Sequence, residues 1–367
     1  MTKYSFKEIF TDIFAESNMR HDELEELIAC CNRSIVIFGA GSVGEAVAEC
    51  LQEKNIIITA FCDNHKSGWS ERFNVPITNV ATLMSDYKDA ILVICVGPLY
   101  SSTIKKQVIE AGFPEEMIFQ RYNAWHYYSA DKFRENYYDG YEWAYNFFSD
   151  KWSREIITNR IRGYLGHCEL PYVSYNEQYF EEGYMPLSDQ EVFYDIGGFD
   201  GDTSETFSRC TNGKYRHIYF FEPDESNLLN AQKKLKDLTN ITWINKAVWA
   251  RETEVSFVSE GGASRCLLEG DNVIPAISID SFRKEDEEAH LSPTFMKMDI
   301  EGAEQQALIG AVETISQYQP KLAVCVYHKP EDIYELPQTI LKYGNYKMSL
   351  SHYTPGMNET VLYALPK

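Results

Sequence analysis

The chain has 367 residues, 44% hydrophobic and 24% charged, a balance that describes globular domains and excludes a disordered polymer. Its 55 acidic and 34 basic residues leave a formal net charge of −21, which argues against nucleic acid or an anionic membrane as partner, because both are gripped by Lys and Arg. No apolar run approaches the roughly 18 residues needed to span a bilayer, and the acidic, amphipathic start lacks a secretion-signal pattern, so a cytoplasmic protein is expected.

From the N-terminus, residues 34–38 (SIVIF), 56–62 (IIITAFC) and 90–96 (AILVICV) are continuously apolar and rich in β-branched side chains. Helical patterns at 42–53 and 101–111 alternate with them, which predicts a parallel sheet buried on both faces. The unit ends near "MIFQ" at 117–120, so residues 1–120 read as a half-Rossmann-like domain. Within it "FGAGSVG" sets Gly39, Gly41 and Gly44 in a GxGxxG pattern between a strand and a helix. Asp63 follows about 20 residues on, where a ribose-binding acid belongs. A nucleotide or nucleotide-sugar site and a retained fold with an empty loop both fit this pattern.

Residues 121–185 change character, and "RYNAWHYYSADKFRENYYDGYEWAYNFFSDKW" is crowded with Tyr, Trp and Phe. The stretch reads as an aromatic-rich helical connector, with most rings packing and a minority facing a ligand.

Residues 186–367 carry a second alternation. Strands are expected at 192–196, 217–222, 241–248, 294–299 and 321–327, and helices at 203–211, 224–237, 303–316 and 331–343. Residues 253–282 read as antiparallel hairpin material around a Gly-Gly turn, and 346–366 as two strands around Thr-Pro-Gly. The expected architecture is α/β, with a parallel sheet closed by an antiparallel edge hairpin. The nine cysteines form no CxxC pair, and buried, reduced thiols are expected.

The chemistry-bearing stretch is "VFYDIGGFDGDTSETF" at 192–207. A loop that holds a pyrophosphate reads GxGxxG; here Asp195 precedes Gly197, Gly198 and Gly201, and Asp200 and Asp202 lie inside the loop. Thr203 and Ser204 follow as expected caps of the next helix. Acids in these positions repel a pyrophosphate and suit a cationic cofactor without phosphate, S-adenosyl-L-methionine. Glu222 ends "IYFFE" on the next strand, placed to accept both ribose hydroxyls. Asn245, Lys246 and Ala247 end the third strand, where the adenine is expected. "KMDIEGAE" puts Asp299 and Glu301 at the tip of the fourth strand, and "VYHKPEDI" puts His328 at the tip of the fifth. Ligands bind at such carboxyl ends, around the switch point of a parallel sheet.

Taken in order, "VFYDIGGFDGDTSETF", "FFEPD", "KMDIEGAE", "VYHKPEDIYELP" and "SLSHYTPGMNETVLYA" resemble the FkbM-type S-adenosylmethionine-dependent methyltransferases from about Tyr179 onward. The resemblance implies a class I methyltransferase sheet and O-methylation, most often of a hydroxyl on a sugar or a polyketide-type product. Phe199 stands where many class I members carry a middle glycine, which members of the FkbM group commonly lack as well. The "FGAG…DN" pattern is similar to small nucleotide-binding-like domains that precede sugar-modifying enzymes.

Asp299 and His328 are the candidate catalytic pair, one of them accepting the proton of the acceptor hydroxyl; an imidazole titrates near neutrality and suits a base. A divalent metal is left open, with Asp299 and Glu301 as its candidate ligands. His352 reads as structural or substrate-facing, and Asp280 as ordering a turn below the site. The expected partner is a small-molecule or saccharide acceptor, and a homo-oligomer is left open. Two other readings stand beside this one: an NAD(P)-dependent oxidoreductase or epimerase centred on Gly39–Asp63, and a non-enzymatic nucleotide-sugar-binding protein.

Overall fold

The computed structural model describes residues 5–15, 28, 33–53, 55–121, 130–165, 173–260, 263–267, 273–285, 290–354 and 356–367. They form two compact units. One is built from the chain up to 138 with 157–173 and 354–357; the other is built from 139–156, 174–353 and 358–367. Among the described residues, no helix is long and apolar enough to cross a membrane.

The first unit opens with a helix over residues 6–15, α1. Its sheet is made of β1 (Ile35–Phe38), β2 (Ala60–Cys62), β3 (Gly68–Ser70), β4 (Val75–Thr78), β5 (Ile91–Ile94) and β6 (Ile118–Gln120), in the order β3-β4-β2-β1-β5-β6. All neighbours are parallel except the β3–β4 hairpin. Helices α2 (Ser42–Glu53), α3 (Val80–Asp86) and α4 (Pro98–Glu110) connect them. Val36, Ile37, Phe61 and Leu92 are fully buried, as continuous apolar runs in a covered parallel sheet require. The sheet is fuller than the three strands expected from apolar runs. Strands β3, β4 and β6 are three or four residues long and half-exposed, so they leave no long hydrophobic signature.

Helices α5 (Ala130–Phe147) and α6 (Lys151–Tyr164) realise the helical reading of the aromatic stretch. Phe133, Tyr141, Phe148 and Tyr164 are buried, so these rings serve packing.

The second unit holds a seven-stranded sheet of β7 (Val192–Ile196), β8 (His217–Phe221), β9 (Ile241–Ile244), β14 (Phe295–Met298), β15 (Lys321–Cys325), β16 (Tyr346–His352) and β17 (Thr360–Pro366). Its order is β16-β17-β15-β14-β7-β8-β9, with β17 antiparallel to both β15 and β16 and the other pairs parallel. From β7 the chain builds outward through β8 and β9, then returns to place β14 on the other side of β7. The β7–β14 seam is therefore the switch point. A side sheet of β10 (Ala247–Val248), β11 (Thr253–Glu260), β12 (Ala263–Leu267) and β13 (Val273–Ile277) carries the expected antiparallel hairpin; its Gly-Gly turn lies outside the described residues, as does Pro355 of the terminal turn.

Helices α7 (Asp202–Cys210), α8 (Glu225–Lys234), α9 (Ile279–Glu285), α10 (Glu304–Ile309), α11 (Val312–Tyr318) and α12 (Asp332–Tyr343) cover the sheets. Three expectations need correction. The strand expected over 241–248 is two, β9 in the main sheet and β10 in the side sheet, with Asn245 and Lys246 between them. The helix expected over 303–316 is two, broken at Gly310, because a Cβ there would stand 2.1 Å from the Trp249 carbonyl oxygen. Thr203 and Ser204 do not cap α7; Gly201, at φ +88°, is the capping residue, and both side chains lie inside the first turn. The core beneath is aromatic: Phe193, Phe207, Phe220 and Phe295 are fully buried, with Phe193 and Phe207 stacked at 4.4 Å. Cys62, Cys95 and Cys325 are buried, as expected.

Candidate active site

Every described strand tip around the switch point opens on one cleft of about 350 Å³ in the second unit. Its floor begins at the loop after β7. Gly197 takes φ +81°, and a Cβ on it would stand 1.9 Å from the Asp299 carbonyl oxygen. Only glycine lets the β7 loop and the β14 loop approach this closely. Gly198 is pressed against the Phe220 ring, where a Cβ would meet ring carbons at 2.3 Å.

Glu222 follows β8 and is buried. Its Oε2 accepts the Phe199 N–H and its Oε1 the Asp224 N–H, both at 2.9 Å. Each carboxylate oxygen has a second lone pair, so the side chain keeps acceptor capacity for hydroxyl donors in the cleft. Burial pushes its carboxyl up. Asn245 fixes the same corner by donating to the carbonyls of Glu222 and Pro223. Lys246, Ala247 and Val248 complete that wall.

The opposite wall is built around Asp299. Its Oδ2 accepts the Tyr179 hydroxyl at 2.9 Å and its Oδ1 the Tyr327 hydroxyl at 3.3 Å. Burial pushes the Asp299 carboxyl up, but Lys297, His328 and the Tyr179 hydroxyl together hold it below the ordinary carboxylate value. Glu301, at φ +56°, and Glu359 line the cleft beside it. His328 sits behind this wall with its side chain 8% exposed. Its Nδ1 lies 3.0 Å from Glu304 Oε1; its Nε2 lies 3.5 Å from Asp299 Oδ1 and 3.4 Å from Glu301 Oε2. Burial alone would lower its pKa, but the Glu304, Asp299 and Glu301 carboxylates raise it to about 10.

The residues expected at the site divide into two groups. Gly197, Thr203, Glu222, Ala247, Asp299 and Glu301 line the cleft, whereas Asp195, Gly198, Asp200, Gly201, Ser204, Asn245 and His328 do not. Asp195 is fully buried beneath the loop, accepting the Ser204 hydroxyl at 2.7 Å and pairing with Lys297 at 3.3 Å. Asp200 points outward to Lys234. His352 is buried, its Nδ1 2.8 Å from the Thr360 hydroxyl, and Asp280 accepts N–H groups at the start of α11.

Sequence reasoning missed Gln178, Tyr179, Lys297, Tyr327 and Glu359, all on the cleft. Lys297 left a signal, since a charged residue inside the apolar strand "FMKM" demands a buried partner. The register supplies one directly, with Lys297 beside Asp195 on β7. Lys297 also donates to the Gly197 carbonyl at 2.5 Å, and Asp195 and Asp299 hold its ammonium charged against the cost of burial. Tyr179 left none, because it arrives from an irregular segment outside the alternation.

In the first unit Gly39 has φ +112° and Gly44 packs onto it, a Cβ on Gly44 reaching 1.8 Å from the Gly39 carbonyl oxygen. Asp63 accepts the Ala40 N–H through Oδ2, and the His65 and Lys66 N–H groups through Oδ1. Lys66 Nζ donates to the Ala40 carbonyl. Gly41 is open, with no atom within 4 Å of a Cβ.

Residues 195–347 match the model of the methyltransferase FkbM domain, and residues 31–119 match the C2185-like N-terminal domain. A search of curated proteins found no match. Among solved structures the chain is similar to a methyltransferase FkbM from Methylobacillus flagellatus KT, with 22% identity and a TM-score of 0.74 over 97% of this chain and 99% of that one. It is also matched to Aeropyrum pernix fibrillarin, solved with S-adenosyl-L-methionine, at 15% identity and a TM-score of 0.34 over 50% of this chain and 71% of that one. The cleft at the switch point, the order of the seven strands and the domain match agree: the second sheet is a class I methyltransferase sheet, and residues 195–347 within it match the methyltransferase FkbM domain.

Proposed function

We propose that the chain transfers a methyl group from S-adenosyl-L-methionine to a hydroxyl, on a sugar or on a precursor of a glycan or natural product. The observation that carries this reading is the pair of carboxylates, Glu222 and Asp299, that opens on one cleft from the two strands flanking β7. Glu222 would accept the ribose hydroxyls, with Lys246 and Ala247 beside the base. The acceptor would lie between Asp299, Tyr327 and Gln178. A wall bearing Asp299, Glu301 and Glu359 favours a neutral, hydroxyl-rich acceptor and disfavours an anionic one, since like charges repel at close range.

Methyl transfer is an in-line displacement, so alignment of the hydroxyl behind the sulfonium supplies most of the acceleration. Asp299 is the group that reaches the cleft, and it orients the hydroxyl and takes its proton. His328 stands behind it, cationic among three carboxylates, and so holds Asp299 instead of acting as the base. For the first unit we favour a structural role for the glycine loop, because Asp63 already closes onto three backbone N–H groups.

Calorimetric titration tests the cofactor assignment. Glu222→Ala should weaken S-adenosyl-L-methionine binding by about ten- to a hundredfold, the loss of charge-assisted hydrogen bonds of about 1.5–3 kcal/mol. Unchanged affinity in a folded variant removes the reading.

A further inference from the structure

We propose that Asp299, Glu304 and His328 bind a divalent transition-metal ion at the back of the cleft. One donor atom from each lies within 4.8 Å of the others. Acidic clusters alone do not make a metal site, but two buried groups here leave polar atoms without a hydrogen bond. Glu304 is fully buried; one oxygen accepts the Ile300 N–H at 2.9 Å, and Oε2 makes no hydrogen bond. His328 is enclosed, and neither ring nitrogen makes a hydrogen bond, although carboxylate oxygens surround it at 3.0–3.5 Å.

Charge points the same way. Asp299, Glu301 and Glu304 surround one imidazole. Of the nearby ammonium groups, Lys297 is paired with Asp195 and donates to the Gly197 carbonyl, and Lys329 donates to the Gly302 carbonyl. A divalent ion held by Glu304 and His328 would displace the imidazole proton, leave one more positive charge among these carboxylates than the imidazolium supplies, and satisfy Glu304 Oε2 at once. Mixed carboxylate oxygen and imidazole nitrogen is the donor set of first-row ions such as Mn²⁺ and Zn²⁺, whereas an all-oxygen set suits Mg²⁺ or Ca²⁺. Asp299 and Glu301 also line the cleft, so the ion's remaining positions would face a hydroxyl-bearing ligand. That last role rests on the methyl-transfer reading; the ion site does not.

The test is direct metal binding to the full chain. After EDTA stripping, titration with Mn²⁺ followed by electron paramagnetic resonance should show one tight ion per chain with a histidine-nitrogen coupling, displaced by Zn²⁺. Glu304→Gln and His328→Gln should each weaken binding by about tenfold or more. Glu110→Gln, on the exposed face of α4, should leave it unchanged. Weak binding of many ions, or wild-type affinity in both site variants, overturns the proposal. If those variants fail to fold, the wild-type spectrum decides, and absence of nitrogen coupling overturns it. S-adenosyl-L-methionine titrated in parallel keeps the two claims apart: cofactor binding without metal removes only the ion site, and metal without cofactor binding removes only the methyl-transfer reading.

Discussion

Tyr179 illustrates how much of this site depends on single residues. It adopts φ +69°, a backbone conformation that costs an aromatic residue energy, and persists because both its ends are tied. Its N–H donates to the Tyr363 hydroxyl at 2.8 Å, and its own hydroxyl reaches Asp299 and lies 3.4 Å from Cys325 Sγ. Burial raises the Tyr179 phenol far above its ordinary value, with Asp299 adding to it, so the group stays a hydrogen-bond donor. Tyr179→Phe should keep cofactor affinity and lower turnover by about tenfold or more, the cost of a lost hydrogen bond to a charged group. Steady-state kinetics beside calorimetry would check this, and full turnover would remove Tyr179 from the reaction.

At the scale of elements, Gly310 decides where one helix ends and the next begins. The α10–α11 break brings Gly310 against Trp249 and Ala250, which seats the side sheet beside the main one within the second unit. Gly310→Ala puts a methyl group 2.1 Å from a carbonyl oxygen, a clash with backbone that no side chain can relieve by rotating. Overpacking of this kind costs about 1–3 kcal/mol. Urea unfolding should show a lower midpoint for the variant; an unchanged midpoint would mean that α11 moves freely. Sequence periodicity ran straight through this break because Gly inside a helical pattern is tolerated often enough to leave no mark.

At the scale of the whole molecule, a chain of net charge −21 answers to acid through its buried carboxylates. Glu191, at the base of β7, pairs with Lys321 and accepts the Ser188 N–H and the Thr294 hydroxyl. Burial pushes its carboxyl up, but those bonds outweigh burial and hold it below its ordinary value of 4.5. A depressed folded pKa means that the unfolded chain takes the proton first as pH falls. The contribution of Glu191 is therefore complete above about pH 4.5 and is lost as pH drops through the folded value. Glu191→Gln should be less stable than the native chain at neutral pH, with the difference shrinking below pH 4.5. Thermal unfolding followed from neutral pH down to about pH 3, within the carboxylate range, would test this; a constant gap would place the effect elsewhere.

The sequence alone determined where most strands of the second sheet lie and the side chains at their tips, but not that the third strand ends at Ile244 and hands Ala247 and Val248 to a second sheet. Apolar runs and glycine turns are local, and Asp299 and Glu222 sit next to such signals. The glycine loop of the first unit was equally visible, but the use of Asp63 was not, because its partners are backbone groups that only the folded loop brings near. Tertiary structure decided the rest. Lys297 meets Asp195 through strand register, Tyr179 and Glu359 reach the cleft from segments outside the strand-helix alternation, and His328 is enclosed by carboxylates from the β14 loop and α10. Each of these depends on contacts between residues far apart in the chain, and such contacts leave no period in the sequence that joins them.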